Sequence, residues 1–184
     1  MAHLSGPMAY PQQTSEVVGS SAPKISLGCR ARDVGGNEYV FVDFQSAFTV
    51  GEAVAITTTF TGVQVTTATV GPIGLACGTA TSDSCGWIQV YGSGSALGSS
   101  LLVIGAVGLG DTTGGYSYLL PYTTTLVHVE GIYVTLGTTG GTASSGFTLG
   151  SSVGTANTSV LGGLVTVQLN YPFISGGPHV TEAS

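Results

Sequence analysis

The stretch that most constrains the fold lies near the middle of the chain, where residues 85–92 read Cys-Gly-Trp-Ile-Gln-Val-Tyr-Gly. It contains the only tryptophan, and its side chains alternate between two faces with the period of a β-strand. Ile88 and Val90 are predicted to face one way, and Trp87 and Tyr91 the other. Because a tryptophan buries a large apolar area, we expect Trp87 to nucleate the core or a subunit interface.

The rest of the chain repeats this pattern in shorter segments. Turn signals rich in glycine recur about every ten residues, which is typical of a β-sandwich or barrel. Residues 92–99 are almost all Gly and Ser and are predicted to be a flexible connection. No window of the sequence shows a sustained helical period. The predicted strands are residues 38–44, 53–60, 63–70, 73–79, 85–92, 101–107, 126–136 and 164–171.

The predicted fold class is therefore all-β, an antiparallel, jelly-roll-like β-sandwich or barrel with an extended N-terminal arm. The clearest alternation after Trp87 falls in the closing strand, at residues 164–171. The residues that we expect to form the core or an oligomer interface share this strand pattern and are Trp87, Tyr91, Val165, Val167, Leu169 and Tyr171.

Residues 1–35 form the predicted arm, because Pro, Gln, Ser and Gly interrupt every strand or helix period there. The body is residues 36–184, with 36–92 and 100–184 as two possible sub-units. Isolated apolar residues in the arm favour a segment that orders on a neighbour, and a disordered terminus is the alternative. The candidate partner-binding residues of the arm are apolar or basic: Met8, Tyr10, Val17, Val18, Lys24, Ile25, Arg30 and Arg32.

Charge is scarce and unevenly distributed along the chain. Charged residues make up 7% of the sequence, against about 25% in an average protein, so we expect partners to cover much of the surface. All three basic residues precede position 33, and eight acidic residues follow from Asp33 onwards. An acidic body argues against binding of nucleic acid or an anionic membrane. The basic arm favours an acidic protein surface.

No targeting or membrane-spanning segment is predicted from the sequence. The N-terminal residues show no basic start followed by an apolar stretch, so no secretory signal is predicted. The longest apolar run, residues 101–109, is too short and too rich in glycine to span a bilayer. We therefore expect a product that is made in the cytoplasm and does not enter a membrane.

Motifs that could carry catalysis are weak. Residues 150–154 match the G-x-S-x-G pattern, but no helix is predicted to follow, so we interpret the match as chance. His128 and Glu130 share one face of a predicted strand, and an ion pair at the surface or an interface is favoured over a catalytic or metal-binding pair. No cofactor is expected, and we predict that the protein is not an enzyme.

Neither the acidic residues nor the cysteines show the spacing of a metal-binding motif. The acidic residues with the closest spacing fit no calcium-binding loop, so calcium is left without assigned ligands; these residues are Asp33, Glu38, Asp43 and Glu52. The three cysteines lack the spacing of a zinc site. We expect buried or half-buried free thiols at Cys29, Cys77 and Cys85, and a disulfide between Cys77 and Cys85 stays open.

Several segments carry a resemblance to a known family. Residues 38–42 (Glu-Tyr-Val-Phe-Val) and 48–56 (Phe-Thr-Val-Gly-Glu-Ala-Val-Ala-Ile) resemble the opening strands of small head decoration, or cement, proteins of tailed bacteriophages. Residues 73–76 and 85–92 resemble the G-x-A and G-W-x-x-V-x-G segments of those proteins. The closing Val-Gln-Leu-Asn-Tyr-Pro at 167–172 is similar to their final strand.

This resemblance covers residues 36–92 and 164–173, and it implies a function. The family's members are β-rich structural proteins that bind the outer face of an icosahedral shell. The implied partners are the major capsid protein and the chain itself, as a homotrimer, and the implied location is the outer capsid surface of a virion. The alternatives are another virion β-protein, such as a tail-tube or fibre component, and a carbohydrate-binding or adhesin module.

Overall fold

A computed structural model describes residues 4–5, 18–19, 25–66, 69–99, 105–110, 118–121, 127–136 and 161–174. These residues form twelve strands and no helix, so the predicted all-β class is confirmed. No helix of the described residues has the length and apolarity needed to cross a membrane. The strands are β1 Leu4–Ser5, β2 Val18–Gly19, β3 Arg30–Asp33, β4 Glu38–Phe44, β5 Ala53–Ile56, β6 Thr61–Gln64, β7 Gly71–Ala76, β8 Ser84–Ser99, β9 Gly105–Gly110, β10 Tyr118–Pro121, β11 Val127–Leu136 and β12 Leu161–Ile174.

The described strands belong to one large mixed sheet that closes on itself. Its order is β1-β3-β4-β6-β5-β7-β12-β11-β9-β10-β8-β2, with additional pairings of β8 to β4, β7 and β12. Two pairings are parallel, β4 with β6 and β10 with β8, and the others are antiparallel. The pairings make two closed rings of five strands, β4-β6-β5-β7-β8 and β8-β12-β11-β9-β10. The sheet is barrel-like, and β8 belongs to both rings.

Strand β8 is the centre of this arrangement. It pairs with β2, β4, β7, β10 and β12 in the described structure. Its first half, which contains Trp87, lies against β4, and its second half lies against β12. The predicted strand at residues 85–92 is therefore confirmed as the first half of β8.

The first ring encloses a compact apolar core. Alternate residues of β4 and β8 point into it, as the period of two requires. Phe44 and Phe48 pack with their ring centroids 5.4 Å apart at one end of this core. The buried residues of the cluster are Val40, Val42, Phe44, Phe48, Val54, Ala76, Ala80, Ile88 and Val90.

A second core fills the space between the first ring and β11–β12. Strands β5 and β7 contribute to it with the faces that point away from the first core, so both strands are buried on two sides. This explains their nearly continuous apolar sequences. The residues of this core include Ala53, Ala55, Ile73, Leu75, Ala96, Leu119, Val129, Ile132, Val134, Val165, Val167, Leu169 and Ile174.

The outer face of β4 and β8 carries a third apolar cluster. Phe41 and Trp87 meet edge to face, with ring centroids 5.1 Å apart and an interplanar angle of 63°. Ala31, Tyr39 and Cys85 complete the buried set. The partly buried residues that pack against it are Ile25, Cys29 and Cys77.

The predicted flexible connection at residues 92–99 is wrong, because β8 continues as a strand to Ser99. Backbone pairing with β12 holds this segment, with Gly92 opposite Leu169 and Leu97 opposite Leu164. The small residues make room for a folded side chain: the amide of Gln89 donates to Tyr91 O and Ser93 O. A Cβ on Gly94 would lie 2.7 Å from that amide oxygen.

The arm boundary also differs from the sequence-based interpretation. Residues 30–33, assigned to the arm, form β3 and pair with β4 in the body sheet. A turn joins β3 to β4: the Gly36 N–H donates to Asp33 O at 3.1 Å, and Gly36 adopts a positive φ of +82° that favours glycine there. Before Ile25, the structure describes two short arm strands, β1 and β2. Met8, Tyr10, Val17 and Lys24 lie outside the described residues.

Candidate partner-binding surface

The residues expected to form the core or an interface separate into two groups. Four of them are buried within the chain, with exposed fractions of 3% or less: Trp87, Val165, Val167 and Leu169. Their apolar surface is already covered by other parts of the same chain. Tyr91 is half-buried instead, and Tyr171 is 48% exposed.

The two tyrosines stack on one another beside a charged pair. Their ring centroids are 5.2 Å apart with an interplanar angle of 30°. The Tyr171 hydroxyl donates to Glu38 Oε2 at 2.7 Å, and the Arg32 guanidinium forms an ion pair with Glu38 Oε1. Arg30 is exposed, and its positive charge acts to lower the pKa of Glu38 and of Tyr171. We call these five residues the arginine–tyrosine cluster.

Strand register explains why these residues meet. Arg32 lies opposite Glu38 in the β3–β4 pair, and Glu38 lies opposite Tyr91 in the β4–β8 pair. On its other side Tyr91 faces Asn170 of β12. Tyr91 therefore marks the point where β8 passes from β4 to β12, and four strands contribute to one surface.

A β-bulge in β12 directs Tyr171 into the cluster. The β11–β12 register shifts between Glu130 and Ile132, and Gly131 between them has a φ of +80°. A Cβ on Gly131 would lie 2.5 Å from Asn170 O, so the site requires glycine. Tyr171 itself has a φ of +47°. A left-handed backbone costs a non-glycine residue roughly 1–2 kcal/mol, and bulges commonly re-aim a side chain next to a functional site.

Hydrogen bonding fixes the charge states within the cluster. The hydrogen bond from Arg32, then that from Tyr171, lowers the pKa of Glu38 below its ordinary value. The same contacts with Glu38 raise the pKa of Arg32 and of Tyr171. At neutral pH Glu38 is therefore ionised, and it balances Arg32. With two arginines and one carboxylate, the five residues carry a formal charge of +1.

The acidic residues considered for calcium have separate structural roles. Asp33 Oδ1 accepts the Asn37 backbone N–H at 2.9 Å, and Oδ2 accepts the Asn37 amide and the Tyr39 hydroxyl, each at 2.9 Å. Burial raises the pKa of Asp33, but these hydrogen bonds outweigh it and the pKa is lowered. Glu52 is buried elsewhere, and its Oε2 accepts the Thr49 N–H at 2.6 Å. The described residues contain no group of three or more potential metal ligands.

Burial makes two of the three cysteines, Cys77 and Cys85, poor nucleophiles. All three are free, and Cys85 contacts Asp43 with its thiol 3.6 Å from Oδ1. Burial, then the charge of Asp43, raises the pKa of Cys85 to about 11. Burial raises the pKa of Cys77 to about 12. Both thiols are therefore protonated at neutral pH, and a protonated thiol is a poor nucleophile.

The sequence singled out two further motifs, the His128–Glu130 pair and the G-x-S-x-G match. His128 lies in β11 with its backbone opposite Gly108, and Glu130 on the same strand is exposed. The G-x-S-x-G match at residues 150–154 lies outside the described residues.

Two strands of the arm lie at edges of the sheet, one of them beside the cluster. In β1, Leu4 pairs with Asp33 and Ser5 with Arg32. In β2, Val18 pairs with Cys85 and Gly19 with Ser84. Ile25 follows, half-buried against the Trp87 face. Residues that the sequence placed in an arm and in a core thus meet at one surface of the body.

Comparison of the chain with protein-family models, curated proteins and solved structures found no match. The class of the protein therefore rests on its fold and on the arginine–tyrosine cluster. It is an all-β, barrel-like protein that presents a fixed arginine–tyrosine cluster on four strands.

Proposed function

We propose that this chain is a non-enzymatic structural protein that binds the outer surface of a virus capsid as a homo-oligomer, in the manner of a decoration or cement protein. The observation that carries the proposal is the arginine–tyrosine cluster. Tyr and Arg are enriched in the central, energetically important positions of protein–protein interfaces. Here they stand exposed on a chain with few charged residues elsewhere.

The construction of the cluster supports binding rather than catalysis. Tyr171 is held by its bulge, by stacking on Tyr91 and by its hydrogen bond to Glu38. A pre-ordered side chain loses little conformational entropy when a partner covers it, so it contributes more net affinity. The excess positive charge at Arg30 suits an acidic protein surface.

The sequence resemblance supports the capsid as the partner. The segments that resemble decoration proteins, residues 36–92 and 164–173, fall on the first ring and on β12. The cluster lies where these two regions meet, at Tyr91 and Tyr171. Eight acidic residues and no basic residue from position 33 onwards also suit a place outside the shell, away from packaged DNA.

Co-sedimentation with heads of the phage that encodes the chain tests this proposal. The informative variants are Arg30→Glu and Tyr171→Asn; asparagine tolerates the positive φ, so the second variant removes the ring and keeps the backbone. We expect each variant to weaken head binding by at least about tenfold, as for an interface residue worth more than about 1.4 kcal/mol.

The matched control is Tyr133→Asn, which changes a tyrosine of β11 that is 53% exposed and stands outside the cluster. Head binding of this control should equal that of the unmodified protein. Undiminished binding of both cluster variants would contradict the proposed surface. Absence of head binding by the unmodified protein would contradict the function itself.

A carbohydrate-binding module is a second candidate, and the exposed Tyr171 ring beside Arg30 and Glu38 is the observation that favours it. An aromatic face next to hydrogen-bonding groups can hold an amphipathic ring. A glycan array separates the two functions: glycan binding that Tyr171→Asn abolishes, together with no binding to heads, would favour the module. Rings or tubes formed by the purified protein, seen by electron microscopy, would favour a tail-tube component.

A further inference from the structure

A cleft of about 170 Å³ lies next to the arginine–tyrosine cluster. Tyr39 and Gln89 line it and are cross-strand partners, and the neighbouring pair on the same two strands is Glu38 with Tyr91. The cleft is therefore one residue pair away from the proposed partner-binding surface. Its other walls come from β7, from the second half of β8 and from the segment before β5, and they include Leu75, Cys77, Ser95 and Val50.

Gln89 brings an unpaired hydrogen-bond acceptor to this cleft. The residue is 8% exposed, and its Nε2 donates to Tyr91 O at 3.2 Å and to Ser93 O at 2.9 Å. Only the nitrogen of an amide can donate to two carbonyl oxygens, so these contacts fix which end of the side chain is Oε1. Among the described residues, Oε1 accepts no hydrogen bond. Because a largely buried acceptor without a donor costs free energy, a ligand that donates a hydrogen bond is favoured here.

The described residues that line the cleft carry no charge at neutral pH. Burial raises the pKa of Cys77 to about 12, so its thiol stays protonated. Burial, then the hydrogen bond to Asp33, raises the pKa of Tyr39, so its hydroxyl also stays protonated. A charged ligand would lose its hydration in the cleft and meet no opposite charge on these walls. The lining therefore favours an uncharged ligand.

The size of the cleft limits the ligand further. An engineered cavity of about 150 Å³ in another protein binds benzene, so this cleft suits a group of similar size. Leu75 is buried and Val50 is half-buried, and both give the cleft apolar wall. Ser95 is exposed and lies at the mouth, so a ligand can enter from solvent. A short apolar stem that ends in an uncharged donor fits these walls.

We propose that this cleft binds a small uncharged group with a short apolar stem and a hydrogen-bond donor, typified by a primary amide, and that Gln89 Oε1 accepts the hydrogen bond. An asparagine or glutamine side chain of a docked partner and a free small molecule share this chemistry. The first source rests on the proposed function, because the cleft adjoins the arginine–tyrosine cluster. The second source is independent of that function.

Two matched probes test the site on the isolated protein. Butyramide and methyl propyl ketone have the same number of non-hydrogen atoms and the same carbonyl group, but only the amide has N–H donors. An NMR titration of isotope-labelled protein follows the side-chain amide of Gln89 and the backbone amide of Ser95. We expect saturable shifts with butyramide and at least about tenfold weaker binding of the ketone, as for one lost hydrogen bond. Equal binding of the two probes, or no saturable shift with butyramide, would overturn the proposal.

Closing the mouth shows whether the amide binds in this cleft. Ser95→Leu places an apolar side chain at the mouth and should abolish the shifts caused by butyramide. The matched control is Ser93→Leu, at another exposed position of β8 that does not line the cleft. This control should bind butyramide as the unmodified protein does. Butyramide binding that survives Ser95→Leu would refute the assignment to the cleft.

Co-sedimentation of the same two variants with heads distinguishes the two sources of the ligand. Weaker head binding by Ser95→Leu than by Ser93→Leu would assign the cleft to a side chain of the head. Equal head binding by the two variants would assign it to a free small molecule. The probe titration uses no heads, so failure of the proposed function would leave the amide site standing. Failure of butyramide to bind would remove the amide site and leave the capsid function to the Arg30 and Tyr171 variants.

Discussion

At the scale of single residues, Trp87 is the largest fully buried side chain of the described structure. It is 1% exposed and lies edge-on to Phe41. Its indole N–H has no hydrogen-bond partner in the described structure. An unsatisfied buried donor opposes folding, so the apolar contacts of the ring outweigh it.

Replacement of this residue gives a first prediction. Trp87→Ala should lower the free energy of unfolding by about 3–5 kcal/mol, because it leaves a large cavity in the apolar cluster on the outer face of β4 and β8. Trp87→Phe should cost less, because it keeps a ring and removes the unpaired N–H. Urea denaturation measures both, and Tyr133→Ala at an exposed position should stay within about 0.5 kcal/mol. An unchanged midpoint for Trp87→Ala would contradict the burial of this residue.

Glu52 gives a second prediction at this scale, because it is a carboxyl with 3% exposure and one oxygen, Oε1, without a hydrogen-bond partner. Burial raises its pKa, and the N–H of Thr49 opposes the shift. Below the unfolded pKa of about 4.3 both states are protonated and the group costs nothing. As pH rises through the folded pKa, ionisation destabilises the fold.

Glu52→Gln removes this ionisation. The variant should therefore gain stability relative to the unmodified protein between pH 4 and pH 7, as measured by urea denaturation at both values. Gln45→Ala, at an exposed position whose side chain does not titrate, is the control and should show no such pH-dependent difference. A constant difference between Glu52→Gln and the unmodified protein across this range would contradict a raised pKa.

At the scale of the elements, the alternation of apolar residues along the sequence predicted most of the strands that line the cores. It located β4, β5, β7, β11 and β12, whose buried residues line the cores. It failed for the second half of β8, where Gly and Ser replace the alternating apolar residues. That segment is a strand because β12 pairs with it, and β12 is separated from it by more than sixty residues of sequence.

The two glycines that contact Gln89 give an element-scale prediction. A Cβ on Gly74 of β7 would lie 2.3 Å from Ile88 Cγ2 and 2.6 Å from Gln89 O, where the backbone leaves no room. A Cβ on Gly94 would meet only the end of the flexible Gln89 side chain. Gly74→Ala should therefore destabilise the protein by more than Gly94→Ala, with overpacking costs of about 1–3 kcal/mol or more. Thermal unfolding compares the two, and equal melting temperatures would contradict the close β7–β8 packing.

Strand β3 gives a prediction about proteolysis. The only trypsin sites of the chain follow Lys24, Arg30 and Arg32. Arg30 and Arg32 lie in a strand that pairs with β4, and Arg32 also pairs with β1. Under native conditions we expect mass spectrometry to find these two sites resistant, and deletion of residues 1–5 to speed cleavage after Arg32. Rapid cleavage after Arg30 in the intact protein would contradict the pairing of β3 with the body.

At the scale of the whole molecule, the fold class could be predicted from the sequence. Four residues of the cluster were also candidates on sequence grounds, Arg30, Arg32, Tyr91 and Tyr171, but their meeting at one site could not be predicted. Strand period and turn spacing are local properties, so the all-β class followed from the sequence. The arginine–tyrosine cluster depends instead on the register of four strands and on a bulge opposite Gly131. Arg32 and Tyr171 are far apart in sequence, and neither carries a local signal that it faces the other.

The distribution of charge over the whole molecule gives a prediction about the proposed binding to heads. The chain has a net charge of −6, and the excess cation of the cluster is Arg30. If Arg30 docks on an acidic surface of the head, attraction between exposed charges should be screened by salt. Head binding should therefore weaken as ionic strength rises from about 0.05 to 0.5 M, mainly through a slower association rate.

Charge reversal makes this salt dependence specific to the cluster. Arg30→Glu should bind weakly at low salt and lose the dependence or invert it, whereas Arg30→Lys should keep it, because a lysine preserves the charge. Tyr171→Asn should lower affinity at every salt concentration, since a neutral ring contributes by packing rather than by charge. Surface plasmon resonance on immobilised heads separates the two rates. If the affinity of the unmodified protein and that of Arg30→Glu fell equally as salt rose, the positive charge of Arg30 would not contribute to head binding.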